Sequence, residues 1–195
     1  KEYLVRKNHE NDDLKNNSQA AADMLAKINM RNIALIDHMY KNRNNKDFLK
    51  KKTQIEFLKK NYNPDAISES SPNNQYTSYS INKGEKIVFC LRDKTPPFKL
   101  ADLNTIMFVS IHELGHLMTH AVGHPPEFWK NMKSLLKEAI HTVKVPGTNE
   151  PIYIPQNFHE KNVTYCGMQI TSTPCEHHDY KCKNVNHNHF KNFSH

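Results

Sequence analysis

Two histidines four residues apart, His112 and His116, enclose a glutamate in the run HELGH at 112–116. On an α-helix, side chains at positions i and i+4 project from one face, so both imidazoles can reach one ion at about 2.0–2.1 Å. Glu113 follows the first histidine and points toward a water molecule at the ion instead of coordinating the ion itself. The spacing therefore predicts a zinc site in which Glu113 is the general base.

This arrangement predicts hydrolysis of a peptide bond. Zinc lowers the pKa of a bound water to roughly 7 and polarises a carbonyl group, so attack at neutral pH becomes feasible. The alternative is a pair of ordinary core or surface histidines, which would need partners beside Glu113 that the sequence does not suggest. We predict a zinc metallopeptidase, an endopeptidase with one zinc ion per chain, whose partner is a peptide or protein substrate.

A catalytic zinc site also needs a third protein ligand and an open position. The favoured ligand is His124, which follows Gly123 and precedes Pro125. These neighbours predict a tight turn that reverses the chain and leaves His124 at the start of the next helix. A histidine there can face back towards the ion.

Three other side chains compete for this role. Glu138 lies on the next predicted helix and is the alternative third ligand. His120 continues the stripe of the two motif histidines but lies another turn, about 5.4 Å, along the helix axis, so we predict a surface or outer position. Glu127 is explained as a negative charge near a helix N-terminus.

The cysteines do not indicate a structural zinc ribbon, because Cys90, Cys166, Cys175 and Cys182 contain no C-x-x-C pair. Their disulfide state is left open, and Cys90, inside an apolar run, is predicted to be a small buried hydrophobic residue. A second metal site in the C-terminal segment is the weaker alternative to a disordered tail, because the spacing fits no usual ligand pattern. Its candidate ligands are Cys175, His177, His178, Cys182, His187 and His189.

Apolar residues at spacings of three and four predict four helices, with bounds of 18–40, 46–62, 102–121 and 125–143. Ser18 and Asp102 are the predicted N-caps of the first and third helices. Gly123 is predicted to end the third helix in a left-handed conformation, and Pro125 with Pro126 to open the fourth. The motif therefore lies on the third helix.

A β-hairpin is predicted over 76–81 and 86–91, joined by the turn 82–84. The residues before it, 68–74, are predicted to form a loop, and the chain beyond 146 to be irregular. Extended peptides commonly pair with an exposed strand, and the more polar first strand is the better candidate. Tyr153 and Tyr165 are available as oxyanion donors, but the spacing does not choose between them. A tyrosine in a loop more often packs than catalyses, so neither is predicted to be catalytic.

Length and element content predict one α+β domain over residues 1–175, in which a small sheet packs on the motif helix, followed by a polar, histidine-rich tail at 176–195. The net charge of +7 comes largely from lysine runs such as 50–52. These runs are not interleaved with aromatics and arginines, so they predict a solvated helix face and no specific nucleic-acid surface. The oligomeric state is left open.

The chain resembles the WLM and SprT-like minimal zincins through VSIHELGH at 109–116 and GHPPEFW at 123–129. It resembles more closely the WLM-like metallopeptidases of large nucleocytoplasmic DNA viruses and algae. That resemblance rests on EYLVR at 2–6, QAAADMLA at 19–26, YTSYSINKGEKIV at 76–88 and YCGMQI at 165–170. It implies a minimal zincin-like fold with His112, His116 and His124 as zinc ligands and Glu113 as base. It implies no known substrate.

Another resemblance keeps a second function open. The run GHLMTH at 115–120 is similar to IrrE-like regulators, whose last metal ligand is an acid on a later helix. The alternative function is therefore a non-catalytic zinc-binding regulator or virion interaction protein of the same fold. A peptidase acting on DNA-crosslinked protein is a third possibility. Because the viral relatives often carry a preceding membrane span, we expect a membrane-anchored or virion-associated parent, with a cytoplasmic protein as the alternative.

Overall fold

The computed structural model describes residues 1–8, 15, 17–158, 160–171 and 173–174. The described part of the chain forms four helices and five short strands, which confirms the predicted α+β class. The helices are α1 (Ser18–Lys41), α2 (Lys52–Asn61), α3 (Leu103–Met118) and α4 (Pro126–His141). The strands are β1 (Ile67–Glu69), β2 (Tyr79–Ile81), β3 (Lys86–Phe89), β4 (Val163–Tyr165) and β5 (Met168–Ile170).

Helix α3 lies at the centre of the fold and contacts α1, α2 and α4. Every residue from Thr105 to Met118 is buried, so this helix has no solvated face. Its N-cap is Asp102, as predicted, whose carboxylate accepts a hydrogen bond from the Thr105 backbone N–H at 2.8 Å. A helix buried on all sides holds its side chains in fixed rotamers, which suits a site that depends on their spacing.

Helix α1 begins at residue 18, as predicted, but its N-cap residue and the start of the second helix differ from the prediction. The N-cap of α1 is Asn17, because its side chain accepts from the Ala20 N–H at 2.9 Å, whereas the Ser18 hydroxyl donates to the Arg6 carbonyl. The second helix was expected from residue 46 but begins at Lys52, after a short 3-10 helix at Leu49–Lys51. No side chain caps the start of α2, so the chain enters it through this tighter turn.

The main sheet has the order β1-β3-β2, with β2 at one edge. Strands β2 and β3 pair antiparallel, with Ser80 opposite Ile87, which confirms the predicted hairpin. Strand β1 pairs parallel with β3, so the loop predicted over 68–74 is wrong at its start. The polar Glu69 is buried there because Arg6 and Arg92 each donate to its carboxylate at 2.9 Å.

The segment after residue 146 is more regular than predicted, because β4 and β5 form a second antiparallel hairpin. Its turn contains Cys166 and Gly167, both with positive φ. Cys166 forms a disulfide with Cys90, which follows β3. Cys90 is buried as predicted, but it is covalently paired as well. The tail ligands proposed from Cys175 onward lie outside the described residues.

Among the residues that the structure describes, no helix combines the length and the apolar character needed to cross a membrane. The predicted membrane anchor concerns residues that would precede Lys1, and it stays a prediction.

Candidate metal centre

Three imidazoles meet at the C-terminal half of α3. His112 and His116 come from α3, one helical turn apart, and His124 comes from the segment between α3 and α4. The Nε2 atom of His112 lies 3.2 Å from that of His116 and 3.1 Å from that of His124. Tetrahedral ligands at zinc–nitrogen distances of 2.0–2.1 Å are about 3.4 Å apart. These two separations are therefore close to those that zinc ligands require, and all three ligand atoms lie within 4.8 Å of one another.

The protonation of these histidines also suits a metal. Burial lowers the pKa of His112 well below its usual value, and the neighbouring His116 and His124 lower it further. Burial lowers the pKa of His116 to about 3, with further contributions from His124 and Lys83. Metal ions bind the neutral imidazole, so at neutral pH the two residues are already in the form that a metal needs.

The other candidates for the third ligand lie elsewhere. Glu138 is 3.2 Å from the Nε2 atom of His38 on α1. His120 is exposed, and its ring stacks on Phe57 with centroids 4.2 Å apart. Glu127 accepts a hydrogen bond from the Gln54 amide. Of the four candidates, the structure brings His124 into the cluster, and its role as a ligand stays a prediction that this geometry supports.

Helix α3 ends at Met118, three residues before the predicted limit, because side chains from other elements bind its last carbonyl groups. Asn61 of α2 donates to the Leu117 carbonyl, and Asn131 of α4 donates to the Met118 carbonyl. The Thr119 hydroxyl donates to the Gly115 carbonyl at 2.7 Å. These hydrogen bonds satisfy groups that another helical turn would otherwise pair.

Because the helix ends early, the segment to His124 is free to turn back on the cluster. Gly123 has the predicted left-handed conformation, with φ of 78°, but lies in this segment beyond the end of α3. Pro125 is the N-cap of α4, so His124 precedes the cap position that was predicted for it. The third histidine is thus held by a loop and the other two by a helix.

Lys83, in the turn between β2 and β3, fastens this loop. Its ammonium donates to the carbonyls of Thr119 and Ala121 at 2.7 Å each and to that of His116 at 3.4 Å. A positive charge at a helix C-terminus is also favourable to the helix dipole. The sequence predicts only a turn at Lys83, and the left-handed φ of 57° at this residue is consistent with that turn.

Phe128, in the first turn of α4, contacts all three histidine rings, with centroid distances of 4.9, 4.5 and 4.7 Å. Local residue patterns do not predict this contact. Phe128 fits because Gly115 has no side chain: a Cβ atom at Gly115 would lie 2.9 Å from the Phe128 ring. The glycine inside the motif therefore allows α4 to pack closely enough to support the imidazoles.

Glu113 is fully buried one residue after His112. Tyr165 of β4 is also fully buried, and its phenol oxygen lies 2.6 Å from the Ser78 hydroxyl. Burial raises the pKa of Tyr165, the Ser78 hydrogen bond lowers it, and the negative charge of Glu113 raises it. Tyr153, the other tyrosine available as an oxyanion donor, packs its ring against Phe108. Tyr165 therefore lies close enough to Glu113 to interact electrostatically with its carboxylate.

A groove of about 840 Å³ adjoins the cluster and is lined by His116 and Gly123 at one part and by β2 at another. Its remaining lining residues come from the segments before and after β2 and from Val122: Asn73, Asn74, Gln75, Tyr76, Asn82 and Lys83. The strand predicted to receive a peptide thus borders a cavity that reaches a histidine of the cluster.

Comparisons with known proteins find a matching family and viral relatives. The family described as WLM domain matches residues 6–194, a range that includes the segment predicted as a tail. A protein of Acanthamoeba polyphaga mimivirus, described as uncharacterized, is 29% identical over 154 residues, which cover 79% of this chain and 73% of that protein.

Two further viral proteins, also described as uncharacterized, match shorter stretches. Those of Invertebrate iridescent virus 6 and Invertebrate iridescent virus 3 are 35% and 41% identical over 63 and 64 residues. Each match covers 32% of this chain, and 35% and 38% of the respective viral protein. No solved structure matches the chain at a significant level.

Proposed function

The chain belongs to the WLM domain family, a zincin-like protease family, and from this premise we propose that it is a zinc-dependent metallopeptidase that hydrolyses peptide bonds in proteins. The observation that carries the proposal is the meeting of three imidazoles, two of them kept neutral at pH 7 by burial, beside a buried glutamate. The Nε2 separations of 3.1 and 3.2 Å, with Glu113 fully buried on the same helix, support one zinc ion per chain.

In this proposal, His112, His116 and His124 hold the ion and Glu113 moves the proton. When bound, zinc supplies Lewis-acid chemistry, which acidifies water and polarises a carbonyl group. The Glu113 carboxylate accepts a proton from the attacking water and can pass it to the leaving amine. Since α3 is buried on all sides, the spacing between Glu113 and the two helical histidines is held without further ordering.

The proposed substrate is an extended peptide in the groove beside β2. An edge strand presents unpaired backbone groups that an extended chain can bind. Because the groove reaches His116, a peptide in it would pass the histidine cluster. The viral relatives support a virion-associated setting, while a cytoplasmic location stays an alternative.

The test compares wild-type protein, Glu113→Gln and Glu127→Gln, each with its zinc content measured, on an unfolded protein substrate with and without chelator. We expect Glu113→Gln to retain zinc and lose about 10² to 10⁴ in rate, because only the basicity is removed. Glu127→Gln, an acid outside the cluster, should cleave like wild type. Equal cleavage by Glu113→Gln would show that Glu113 is not the base.

Two other outcomes would redirect the proposal. Bound zinc without cleavage of any substrate in a broad peptide library would favour the non-catalytic regulator or virion interaction protein. Loss of zinc from Glu113→Gln would mean that the carboxylate coordinates the ion or holds a ligand in place, contrary to its proposed role.

A further inference from the structure

The groove beside β2 contains exposed apolar side chains. Three of its lining residues are large hydrophobic side chains left open to solvent: Tyr76 at 36%, Ile81 at 39% and Val122 at 87% exposure. Exposed apolar side chains gathered in one concave surface are typical of a ligand-binding groove. Val122 in particular lies in the loop between two histidines of the cluster, where an isolated apolar side chain has no packing role.

The polar part of the groove is almost neutral. The polar side chains that line it are amides and hydroxyls, apart from His116 and Lys83, and none of the described lining residues is acidic. The Lys83 ammonium is already bound to three backbone carbonyls at the end of α3. The groove therefore offers no carboxylate to a basic side chain, and it offers apolar contact to a hydrophobic one.

The groove is also continuous with the proposed catalytic site. His116 lines it, and β2 lies at the edge of the sheet, paired through β3 alone. A peptide extended along β2 would place alternate side chains toward the sheet face, near Ile81, while its backbone passes the histidines. The occupant that fits these features is an extended peptide segment with a bulky apolar side chain.

We propose that this groove selects peptide segments with a large aromatic or branched aliphatic side chain close to the bond that is cut, and that Tyr76, Ile81 and Val122 form the selecting surface. The inference rests on the proposed function and names its substrate class. Segments of this kind are buried in folded proteins, so the preferred substrates are unfolded proteins or exposed hydrophobic segments.

Binding without turnover tests the inference. The protein is zinc-loaded Glu113→Gln, and the probes are two fluorescein-labelled peptides of Gly, Ala and Ser that differ at one central position, leucine or serine. Fluorescence anisotropy should show about tenfold tighter binding of the leucine peptide, as expected for burial of one large apolar side chain. Adding Ile81→Ser or Val122→Ser should remove most of this preference.

Leu49→Ser is the matched control, because Leu49 is 58% exposed and lies on the 3-10 helix outside the groove lining. It should leave the leucine preference unchanged, and thermal melts should show that all variants remain folded. Equal affinity for the two peptides, or an equal loss of preference in Leu49→Ser, would overturn the inference.

This readout separates the inference from the proposed hydrolysis. One outcome is that wild-type protein cleaves no substrate while the leucine preference still appears and depends on Ile81 and Val122. In that case the selectivity of the groove stands and the peptidase proposal fails. If wild-type protein cleaves both peptides at the same rate and binds them equally, the peptidase proposal stands and the selectivity is wrong.

Discussion

The indole ring of Trp129 stacks on the imidazole of His124, with centroids 5.6 Å apart and planes inclined by 27°. Trp129 is the single tryptophan in the chain, so all tryptophan emission comes from a residue that contacts His124. We predict that Co²⁺ added to metal-free protein quenches this emission in a saturable way, and that Zn²⁺ competes with it. Fluorescence titration measures both affinities.

The same titration discriminates between the two candidates for the third ligand. His124→Ala should weaken metal binding strongly, because a two-histidine site lacks one nitrogen donor. Glu138→Ala should bind the metal like wild type, since Glu138 contacts His38 and not the cluster. The reverse result, retained affinity in His124→Ala and loss in Glu138→Ala, would rule out His124 as the third ligand.

Removal of the Lys83 ammonium should loosen the loop that carries His124. We predict that Lys83→Met lowers zinc affinity by about 10- to 100-fold, the range typical for residues that orient metal ligands. Lys83→Arg should recover part of the loss, because it keeps a positive donor at the end of α3. Lys86→Met, on the same hairpin, is the control. Competition against a chromogenic chelator measures the zinc affinity of all three variants. An equal loss of affinity in Lys86→Met would argue against a specific role for Lys83.

Filling the space at Gly115 should separate α3 from α4. A methyl group there meets the Phe128 ring at 2.9 Å, so we predict that Gly115→Ala destabilises the fold by about 1–3 kcal/mol. Urea unfolding measures the change. Phe128→Leu supplies a smaller neighbour, so the double variant should lose less stability than the sum of the single losses. Strict additivity would show that Phe128 is not the obstructing group.

Acid should destabilise the metal-free protein before most carboxylates titrate. The folded state holds the pKa of His116 near 3, whereas the unfolded chain protonates near the ordinary value of 6.5. The unfolded state therefore binds more protons between these values, and stability falls as the pH falls through this window. We predict a lower urea midpoint at pH 5 than at pH 7 in chelator-treated protein. His116→Gln should reduce this difference; an unchanged difference would assign the pH dependence to other groups.

The Cys90–Cys166 disulfide should contribute substantially to stability, because it closes a loop with a sequence separation of 76. Loop closure of this kind is typically worth about 2–4 kcal/mol. We predict that reductant lowers the melting temperature of wild-type protein, and that Cys90→Ala/Cys166→Ala has a low melting temperature without reductant. A double variant as stable as the oxidised wild type would show that the crosslink has no energetic role.

The sequence by itself determined the part of the site that depends on local geometry. His112 and His116 face one side because four residues make about one turn of any α-helix, wherever that helix is packed. The position of Glu113 relative to these two histidines follows from the same helical period. Asp102 caps α3 through a hydrogen bond that spans three residues, and the β2–β3 hairpin depends on a short turn, so both were also predictable.

Only the tertiary structure shows which of His124 and Glu138 lies in the histidine cluster. Both positions were compatible with a ligand, and the choice depends on how α4 is rotated and where α3 ends. The contact between Phe128 and Gly115 fixes how α4 packs on α3. Glu138, the alternative ligand, instead contacts His38, which lies 100 residues away along the chain.

The same holds for β1 and for the disulfide. The sequence predicts a loop at Glu69, whereas in the structure Arg6 and Arg92 bind its carboxylate beside β3. The sequence predicts a small hydrophobic residue at Cys90, whereas the β4–β5 hairpin places Cys166 close enough to form a disulfide with it. These contacts join residues 23 to 100 positions apart along the chain. Their formation depends on the packing of whole elements, which local residue patterns do not specify.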